Sequence, residues 1–239
     1  SRPLEEGKDY LILGEDCLER ARTTPGILIG TARANPGKVI SDPAHLNDPE
    51  RTAPMLRTYN ALRSLEVDAF ISIGGDDTLK TANKFKLFQD TLDEDNQRIP
   101  VVHLPKTIDN DVPLIDTSFG FTSAVEAAIP MIEAANTEAE ACPNGIGIVK
   151  LMGRHSGFIA LHATLASGDV DLCLVPESSF EVAEIMNHLE AKLRENNHAL
   201  VVVAEGAGQA QMGASVKYDA SGNALNEDVG LWLKSVITE

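Results

Sequence analysis

Short apolar runs alternate along this chain with stretches whose apolar residues recur at helical spacing. One such stretch precedes the second run, with Met55, Leu56, Tyr59 and Leu62. The apolar runs have the length and composition of strands, at residues 27–30, 69–73, 101–104, 146–151, 171–175 and 199–204, and those at 69–73 and 101–104 are typical of buried strands. Strands that alternate with helices are typical of a parallel sheet, so the sequence predicts an α/β fold.

The run at 69–73 leads directly into Gly74–Thr78, with the sequence Gly-Gly-Asp-Asp-Thr. Glycine carries no Cβ, so the backbone there can approach a ligand closely. A helix predicted from Thr78 onward would offer free amides and the positive end of its dipole to a phosphate. Asp76 and Asp77 carry the oxygen ligands that Mg²⁺ prefers. We therefore predict a phosphate and metal site, with a plain acidic turn as the alternative.

A second polar cluster follows the run at 101–104, where Pro105–Asp111 reads Pro-Lys-Thr-Ile-Asp-Asn-Asp. Ligands of open α/β sheets bind outside the carboxyl ends of the strands, so we expect the two clusters to meet in one crevice. Asp109 would act as a general base on a hydroxyl, and Lys106 would neutralise charge on a transferring phosphoryl group. The alternative is an Asn/Asp-rich turn that caps a helix.

A third motif, Met-Gly-Arg-His-Ser-Gly, stands at Met152–Gly157. In this order the three motifs resemble those of the phosphofructokinases, and further similar stretches occur at 30–36, 119–121, 175–177 and 204–207. The resemblance implies two Rossmann-like three-layer α/β/α domains with mostly parallel sheets. We expect a phosphoryl-donor domain at 1–138 and a fructose 6-phosphate domain at 139–239.

The resemblance also implies roles for individual residues. Asp109 would take the proton from the 1-hydroxyl of fructose 6-phosphate, with Lys106 and Arg154 as further catalytic residues and Asp76 as the Mg²⁺ ligand. Five residues would contact the sugar phosphate: Thr107, Asp111, Met152, Gly153 and Glu205. Five others would contact the donor: Arg33, Gly74, Gly75, Asp77 and Thr78. Considered without the resemblance, Arg154 is also consistent with a surface arginine and Glu205 with a solvated strand end.

Asp77 bears on the identity of the donor. In the phosphofructokinase family, which this sequence resembles, enzymes with glycine at this position use ATP and enzymes with aspartate use inorganic pyrophosphate. Lys106 also fits the pattern of the pyrophosphate-dependent members. A carboxylate where the α-phosphate of ATP would lie repels it, by several kcal/mol in a desolvated cleft. The resemblance thus implies reversible phosphoryl transfer from pyrophosphate. Two alternatives stay open, an ATP-dependent phosphofructokinase and a non-catalytic regulatory subunit of the same fold.

Two departures from the family pattern concern the ends of the chain and the segment before Met152. The first residues lack a Gly-Gly-x-x-Pro-Gly loop, and no segment with arginines and a histidine follows Ile237, so we expect a chain truncated at both ends. Asn144-Gly145 stands where ATP-using relatives carry an arginine that reaches a neighbouring subunit. Substrate binding across subunits is therefore not expected from this segment.

The net charge of −16 argues against nucleic acid or an anionic membrane as a partner, because both bind basic surfaces. No apolar run approaches the roughly 20 residues of a membrane span. Cys17, Cys142 and Cys173 lack a CxxC spacing, which favours reduced thiols. We expect a cytoplasmic homo-oligomer whose partners are small-molecule substrates.

Overall fold

A computed structural model of the chain describes residues 3–19, 21, 23–24, 29–32, 34–213 and 225–238. Part of the predicted strand at 27–30 lies outside the described residues, and its last two residues, Ile29 and Gly30, are not in a strand. The chain forms two compact units. The first comprises residues 1–72 and 77–103, and the second comprises residues 73–76 and 104–239.

The first unit packs its two long helices around one apolar cluster. Its helical segments are α1 (Glu15–Glu19), a 3-10 helix (Pro43–Asn47), α2 (Pro49–Ser64) and all but the first residue of α3 (Asp76–Asp90). Helix α2 begins where Oδ1 of Asp48 accepts hydrogen bonds from the backbone N of Glu50 (2.9 Å) and Arg51 (3.3 Å). The cluster contains the buried residues Ile40, Met55, Tyr59, Phe85, Phe88 and Ile99.

Three strands form the first sheet, in the order β1 (Phe70–Gly74), β2 (Val101–Thr107) and β3 (Phe119–Gly120). Strands β2 and β3 are parallel, with Thr107 opposite Gly120. The strands predicted at 69–73 and 101–104 are present, but the prediction that they are buried was wrong, because alternate side chains are more than a third exposed: Ile71, Ile73, Val102 and Leu104. A β-branched, apolar composition indicates a strand but does not show that both faces are covered.

The second unit contains a parallel sheet with the strand order β4-β6-β5. Its strands are β4 (Gly145–Leu151), β5 (Leu172–Leu174) and β6 (His198–Ala204). Its helices are α4 (Phe121–Glu140), α5 (Phe158–Ser167), α6 (Val182–Asn196), α7 (Gln209–Met212) and α8 (Val229–Thr238).

Strand β6 is the centre of a three-layer arrangement. Alternate residues Ala199, Val201 and Val203 pack in a cluster with residues of α6 and α8, while Leu200, Val202 and Ala204 pack in a second cluster with residues of α4 and α5. All six are fully buried, and the strand predicted from the apolar run at 199–204 is present. The predicted α/β class with parallel strands is confirmed.

The predicted domain boundary at residue 138 falls inside α4, which continues to Glu140. The compact units divide instead after Ser72, Asp76 and His103. An alanine-rich polar stretch resembles a linker in the sequence, but it is also a good helix former. The assignment of a donor domain and a sugar-phosphate domain stays a prediction.

The three cysteines are free thiols, with Cys17 and Cys142 exposed and Cys173 partly buried. Burial raises the pKa of the Cys173 thiol. None of the described helices is both long enough and apolar enough to cross a bilayer.

Candidate active site

The parallel register of β4 and β6 brings together two loops that carry predicted site residues. Leu151, the last residue of β4, stands opposite Ala204, the last residue of β6. The backbone N of Glu205 donates to the carbonyl of Leu151 (2.8 Å), which extends this pairing. Consequently the loop that begins with Met152 lies beside Glu205.

Glu205 holds the backbone of this loop. Its Oε1 accepts hydrogen bonds from the backbone N of Arg154 (2.8 Å) and of Gly153 (3.3 Å). Two successive backbone amides that converge on one anionic oxygen form an anion-binding arrangement. One oxygen of Glu205 thus has a structural role that the sequence did not reveal.

Two glycines allow the unusual backbone of this loop. Arg154 has a φ of 51°, in the left-handed region, and Gly153 has a φ of 143°. A Cβ on Gly206 would collide with the carbonyl oxygen of Arg154, and a Cβ on Gly153 would lie 2.5 Å from the carbonyl oxygen of Ser156. The left-handed conformation of a non-glycine residue raises the free energy of the folded state by on the order of 1–2 kcal/mol. The hydrogen bonds to Glu205 offset this cost at Arg154.

The start of α5 is fixed by a second glutamate. Oε1 of Glu177, three residues after β5, accepts a hydrogen bond of 2.7 Å from the backbone N of Gly157. A Cβ on Gly157 would lie 2.5 Å from the side chain of Val175, so only glycine fits between the two elements. The motif at 152–157 is therefore anchored at both ends.

Asp109 lies on a loop that closes on itself after β2. The buried Asn110, whose φ is 55°, accepts a hydrogen bond from the backbone N of Ser118 (2.8 Å) and donates to the carbonyl of Asp116 (3.2 Å). The hydroxyl of Ser118 donates to the carbonyl of Thr107 (2.7 Å). Asn tolerates the left-handed region better than most residues, so this position suits the turn. Loop closure fixes the backbone on both sides of Asp109.

The motif at 152–157 and the Asp109 loop touch through one buried hydroxyl. Oγ of Ser156 donates to the carbonyl oxygen of Asp109 at 2.7 Å, and it lies 3.1 Å from the carbonyl oxygen of Gly153. Ser156 is 5% exposed. Two motifs that are more than 40 residues apart in sequence thereby meet in the second unit.

The environment of Asp109 raises the pKa of its carboxyl. The largest cause is burial, and the nearby carboxylates of Asp111 and Glu205 act in the same direction. Arg154 and a hydrogen bond with the Thr107 side chain lower the pKa in part. Asp109 is therefore a stronger base than an exposed aspartate, and the guanidinium of Arg154 lies close enough to influence it.

Helix α3 begins at the predicted metal and donor residues. Asp76, Asp77 and Thr78 are its first three residues, although the sequence predicted a start at Thr78. A Cβ on Gly75 would lie 3.6 Å from Cβ of Thr107, an ordinary contact. Internal packing therefore does not require glycine at Gly75, and its role at the donor site stays a prediction.

Few protein side chains near the start of α3 could bind Mg²⁺. Among the residues that the structure describes, no group of three or more His, Cys, Asp or Glu side chains is placed to hold a metal ion. Mg²⁺ in phosphoryl-transfer sites commonly uses one or two carboxylates together with water and substrate phosphates. A single carboxylate at Asp76 fits that pattern.

The predicted site residues fall into three groups. The second unit holds Gly74, Gly75, Asp76, Lys106, Thr107, Asp109, Asp111, Met152, Gly153, Arg154 and Glu205, and the first holds Asp77 and Thr78. Arg33 lies outside the described residues. Hydrogen bonds and charge interactions join six of these residues: Thr107, Asp109, Asp111, Gly153, Arg154 and Glu205. Lys106 and Met152 are exposed beside them in the chain.

Sequence reasoning missed four residues that shape the site. Ser156 and Asn110 stand inside quoted motifs, but no role was assigned to them. Ser118 gave no signal, because its partners are 8 and 11 residues away and depend on closure of the loop. Gly206 followed the apolar run at 199–204, and a strand that ends in a charged residue and a glycine is a recognisable signal.

A family model described as phosphofructokinase matches residues 6–238 of the chain. The chain belongs to the phosphofructokinase family. The family predicted from the three motifs is therefore confirmed, and with it the phosphofructokinase fold.

Members of this family with similar sequences include two ATP-dependent enzymes. The chain is 48% identical over 191 residues to ATP-dependent 6-phosphofructokinase 1 of Arabidopsis thaliana, which covers 77% of this chain and 40% of that protein. It is 36% identical over 245 residues to the ATP-dependent 6-phosphofructokinase of Borreliella burgdorferi, covering 98% of this chain and 50% of that protein. The chain thus spans half or less of these relatives.

A solved phosphofructokinase structure has the same fold. The pyrophosphate-dependent phosphofructokinase from Marinobacter aquaeolei matches with a TM-score of 0.70 at 22% identity, covering 94% of this chain and 50% of that one. At this identity the likeness shows the shared fold alone.

Proposed function

We propose that the protein transfers a phosphoryl group from inorganic pyrophosphate to the 1-hydroxyl of fructose 6-phosphate, with Mg²⁺, and that the reaction is reversible. The observation that carries the proposal is the half-buried Asp109, whose pKa is raised, held beside Arg154 in a member of the phosphofructokinase family. A base in this environment is suited to take a proton from a sugar hydroxyl.

In the proposed reaction Asp109 accepts the proton of the 1-hydroxyl while the hydroxyl oxygen bonds to the transferred phosphorus. The bond from that phosphorus to the bridging oxygen of pyrophosphate breaks, and inorganic phosphate leaves. Arg154 and Lys106 neutralise the charge that spreads over the transferred group. Asp76 would hold Mg²⁺, which would supply further charge neutralisation when bound.

The sugar phosphate would be bound by the two segments that Ser156 connects, the Asp109 loop and the motif at 152–157. Thr107 ends β2 and Asp111 lies on the Asp109 loop, while Met152 and Gly153 belong to the motif at 152–157. Glu205 keeps Oε2 for a sugar hydroxyl, because Oε1 already accepts two backbone bonds. This division gives Glu205 a structural and a binding role at once.

Pyrophosphate as the donor rests on Asp77, an exposed carboxylate in the first turn of α3. Its charge would oppose the additional phosphate of ATP and tolerate the smaller pyrophosphate. ATP is the second candidate donor, since the relatives from Arabidopsis thaliana and Borreliella burgdorferi are ATP-dependent by name.

The expected homo-oligomer remains part of the proposal and is measurable from the mass of the full-length protein in solution.

The deciding experiment measures initial rates of fructose 6-phosphate phosphorylation by the full-length protein with pyrophosphate or ATP as the sole donor. We expect kcat/KM with pyrophosphate to exceed that with ATP by about 100-fold or more, equivalent to ~3 kcal/mol. Asp77→Asn and Asp77→Gly should raise the rate with ATP about tenfold or more. Asp90→Asn, which removes a carboxylate from the other end of α3, should leave the donor preference unchanged.

Each contrary result has a distinct meaning. Equal use of ATP by the wild type and by the Asp77 variants would show that Asp77 does not select the donor. Activity with ATP alone would replace pyrophosphate with ATP in the proposal. No turnover with either donor would favour the non-catalytic regulatory subunit.

A further inference from the structure

Ser156 makes the hydrogen bond that connects the Asp109 loop with the motif at 152–157, and the proposed reaction assigns it no task. Its hydroxyl has a single proton, and the shorter of its two contacts is to the carbonyl oxygen of Asp109 (2.7 Å, against 3.1 Å to that of Gly153). At 5% exposure the side chain is largely shielded from competing water. The bond therefore links the backbone of the proposed base to the other loop.

The segment on the Ser156 side of this bond is firmly held. The backbone N of Ser156 donates to the carbonyl of Gly153 (2.8 Å), which closes a tight turn. Glu205 accepts from the amides of Gly153 and Arg154, at the other end of that turn. Motion of Ser156 relative to Arg154 is thus restricted by three backbone contacts.

The other hydrogen bonds that hold Asp109 lie within residues 107–118. Its amide donates to Oγ1 of Thr107 at 3.2 Å, a long hydrogen bond, and its carbonyl receives the bond from Ser156. Ser118 closes the loop by bonding Asn110 after Asp109 and the carbonyl of Thr107 before it, but neither bond reaches the motif at 152–157. The Ser156 hydroxyl is therefore well placed to fix where Asp109 stands relative to Arg154.

We propose that Ser156 is a positioning residue, whose hydroxyl couples the Asp109 loop to the turn at 153–156 so that base and arginine keep one fixed arrangement. This inference rests on the proposed function for its catalytic consequence. A displacement of about 1 Å in a reacting group can cost on the order of 100-fold in rate. Loss of a single buried bond at this point thus affects turnover out of proportion to its effect on folding.

The test compares Ser156→Ala with Ser167→Ala in the full-length protein. Ser167 lies at the end of α5 and also donates through its hydroxyl to a backbone carbonyl, that of Thr164 (3.3 Å), so its variant controls for loss of a serine hydroxyl. Amide hydrogen exchange without substrates should accelerate at 108–111 and at 153–156 together in Ser156→Ala. It should remain at wild-type rates in both segments in Ser167→Ala.

Kinetics supply the second measurement. In Ser156→Ala we expect kcat to fall about 10- to 100-fold while KM for the donor changes less than about twofold. The acid limb of the kcat profile should move to lower pH, because a released Asp109 is better hydrated. Ser156→Cys, which keeps a weak donor, should give an intermediate kcat.

The outcomes separate this inference from the proposed function. Unchanged exchange at 108–111 in Ser156→Ala would overturn the coupling, whatever the activity. Faster exchange with kcat and its pH profile unchanged would overturn the positioning role. A wild-type protein without turnover would refute the proposed function and with it the catalytic consequence, while the exchange data would still decide whether Ser156 couples the two loops.

Discussion

At the scale of single residues, the role of base that we propose for Asp109 carries a cost in stability. Burial and the carboxylates of Asp111 and Glu205 raise the pKa of its carboxyl, and Arg154 offsets only part of the effect. A raised pKa means that folding favours the protonated acid, whereas a base must be ionised to act. The protein therefore holds this carboxylate in an unfavourable state at neutral pH.

This conflict predicts opposite effects of Asp109→Asn on turnover and on stability. The stability linked to Asp109 is present below the ordinary aspartate pKa of about 3.9 and is lost as the pH rises through the folded-state pKa. At neutral pH the variant, which cannot ionise, should therefore melt at a higher temperature than the wild type. The difference should shrink as the pH falls below about 4, while turnover collapses at every pH.

Thermal melts from pH 3 to pH 8 and initial rates measure these effects. Asp116→Asn, which removes an exposed carboxylate from the same loop, is the matched control. A variant that keeps most of its turnover would show that Asp109 is not the base. A neutral-pH melting temperature below that of the wild type would contradict the sign of the pKa argument.

At the scale of elements, the candidate site of the second unit is formed by loops that follow strands with parallel partners. The Asp109 loop follows β2 and the motif at 152–157 follows β4, as expected for ligands that bind outside carboxyl strand ends. The positions of these loops were predictable from the sequence, because apolar runs and polar clusters alternate with clear boundaries. Their internal bonds, such as that between Asn110 and Ser118, were not, because they depend on how each loop closes.

Asn110 provides the prediction at this scale, because its side chain and its backbone conformation contribute separately. Asn110→Gly loses the side-chain hydrogen bonds but adopts the left-handed conformation without strain. Asn110→Ala loses the same hydrogen bonds and is also strained in that conformation. Both variants should be less stable than the wild type, and the alanine variant should be the less stable of the two by about 1 kcal/mol. Denaturant unfolding measures the difference, and equal stability would show that the conformation carries no cost.

At the scale of the whole molecule, the chain consists of two compact units whose boundaries cannot be read from composition. The chain passes between the units after Ser72, Asp76 and His103, inside or next to regular elements and not in a linker. A glycine- or proline-rich segment marks a linker in a sequence, but a strand that passes from one unit to the next has no such mark. For this reason the fold class was predictable and the division of the chain was not.

The core of the second unit predicts where substitutions destabilise the molecule. Leu189 of α6 is 1% exposed and packs in a cluster with residues of β6 and α8, whereas Leu165 of α5 is 80% exposed. Leu189→Ala should lower the free energy of unfolding by about 2–5 kcal/mol through the cavity that it leaves. Leu165→Ala should change it by no more than about 0.5 kcal/mol. Chemical denaturation of the two variants tests the contrast, and similar losses would place Leu189 outside the core.

Two of the native thiols are suitable sites for fluorescent labels. Cys17 belongs to the first unit and Cys142 to the second, and both are exposed. Cys173 is partly buried and its raised pKa disfavours the reactive thiolate, so it should react more slowly with alkylating dyes. Donor and acceptor fluorophores on the native thiols would therefore report the spacing of the two units as substrates are added, without an introduced cysteine.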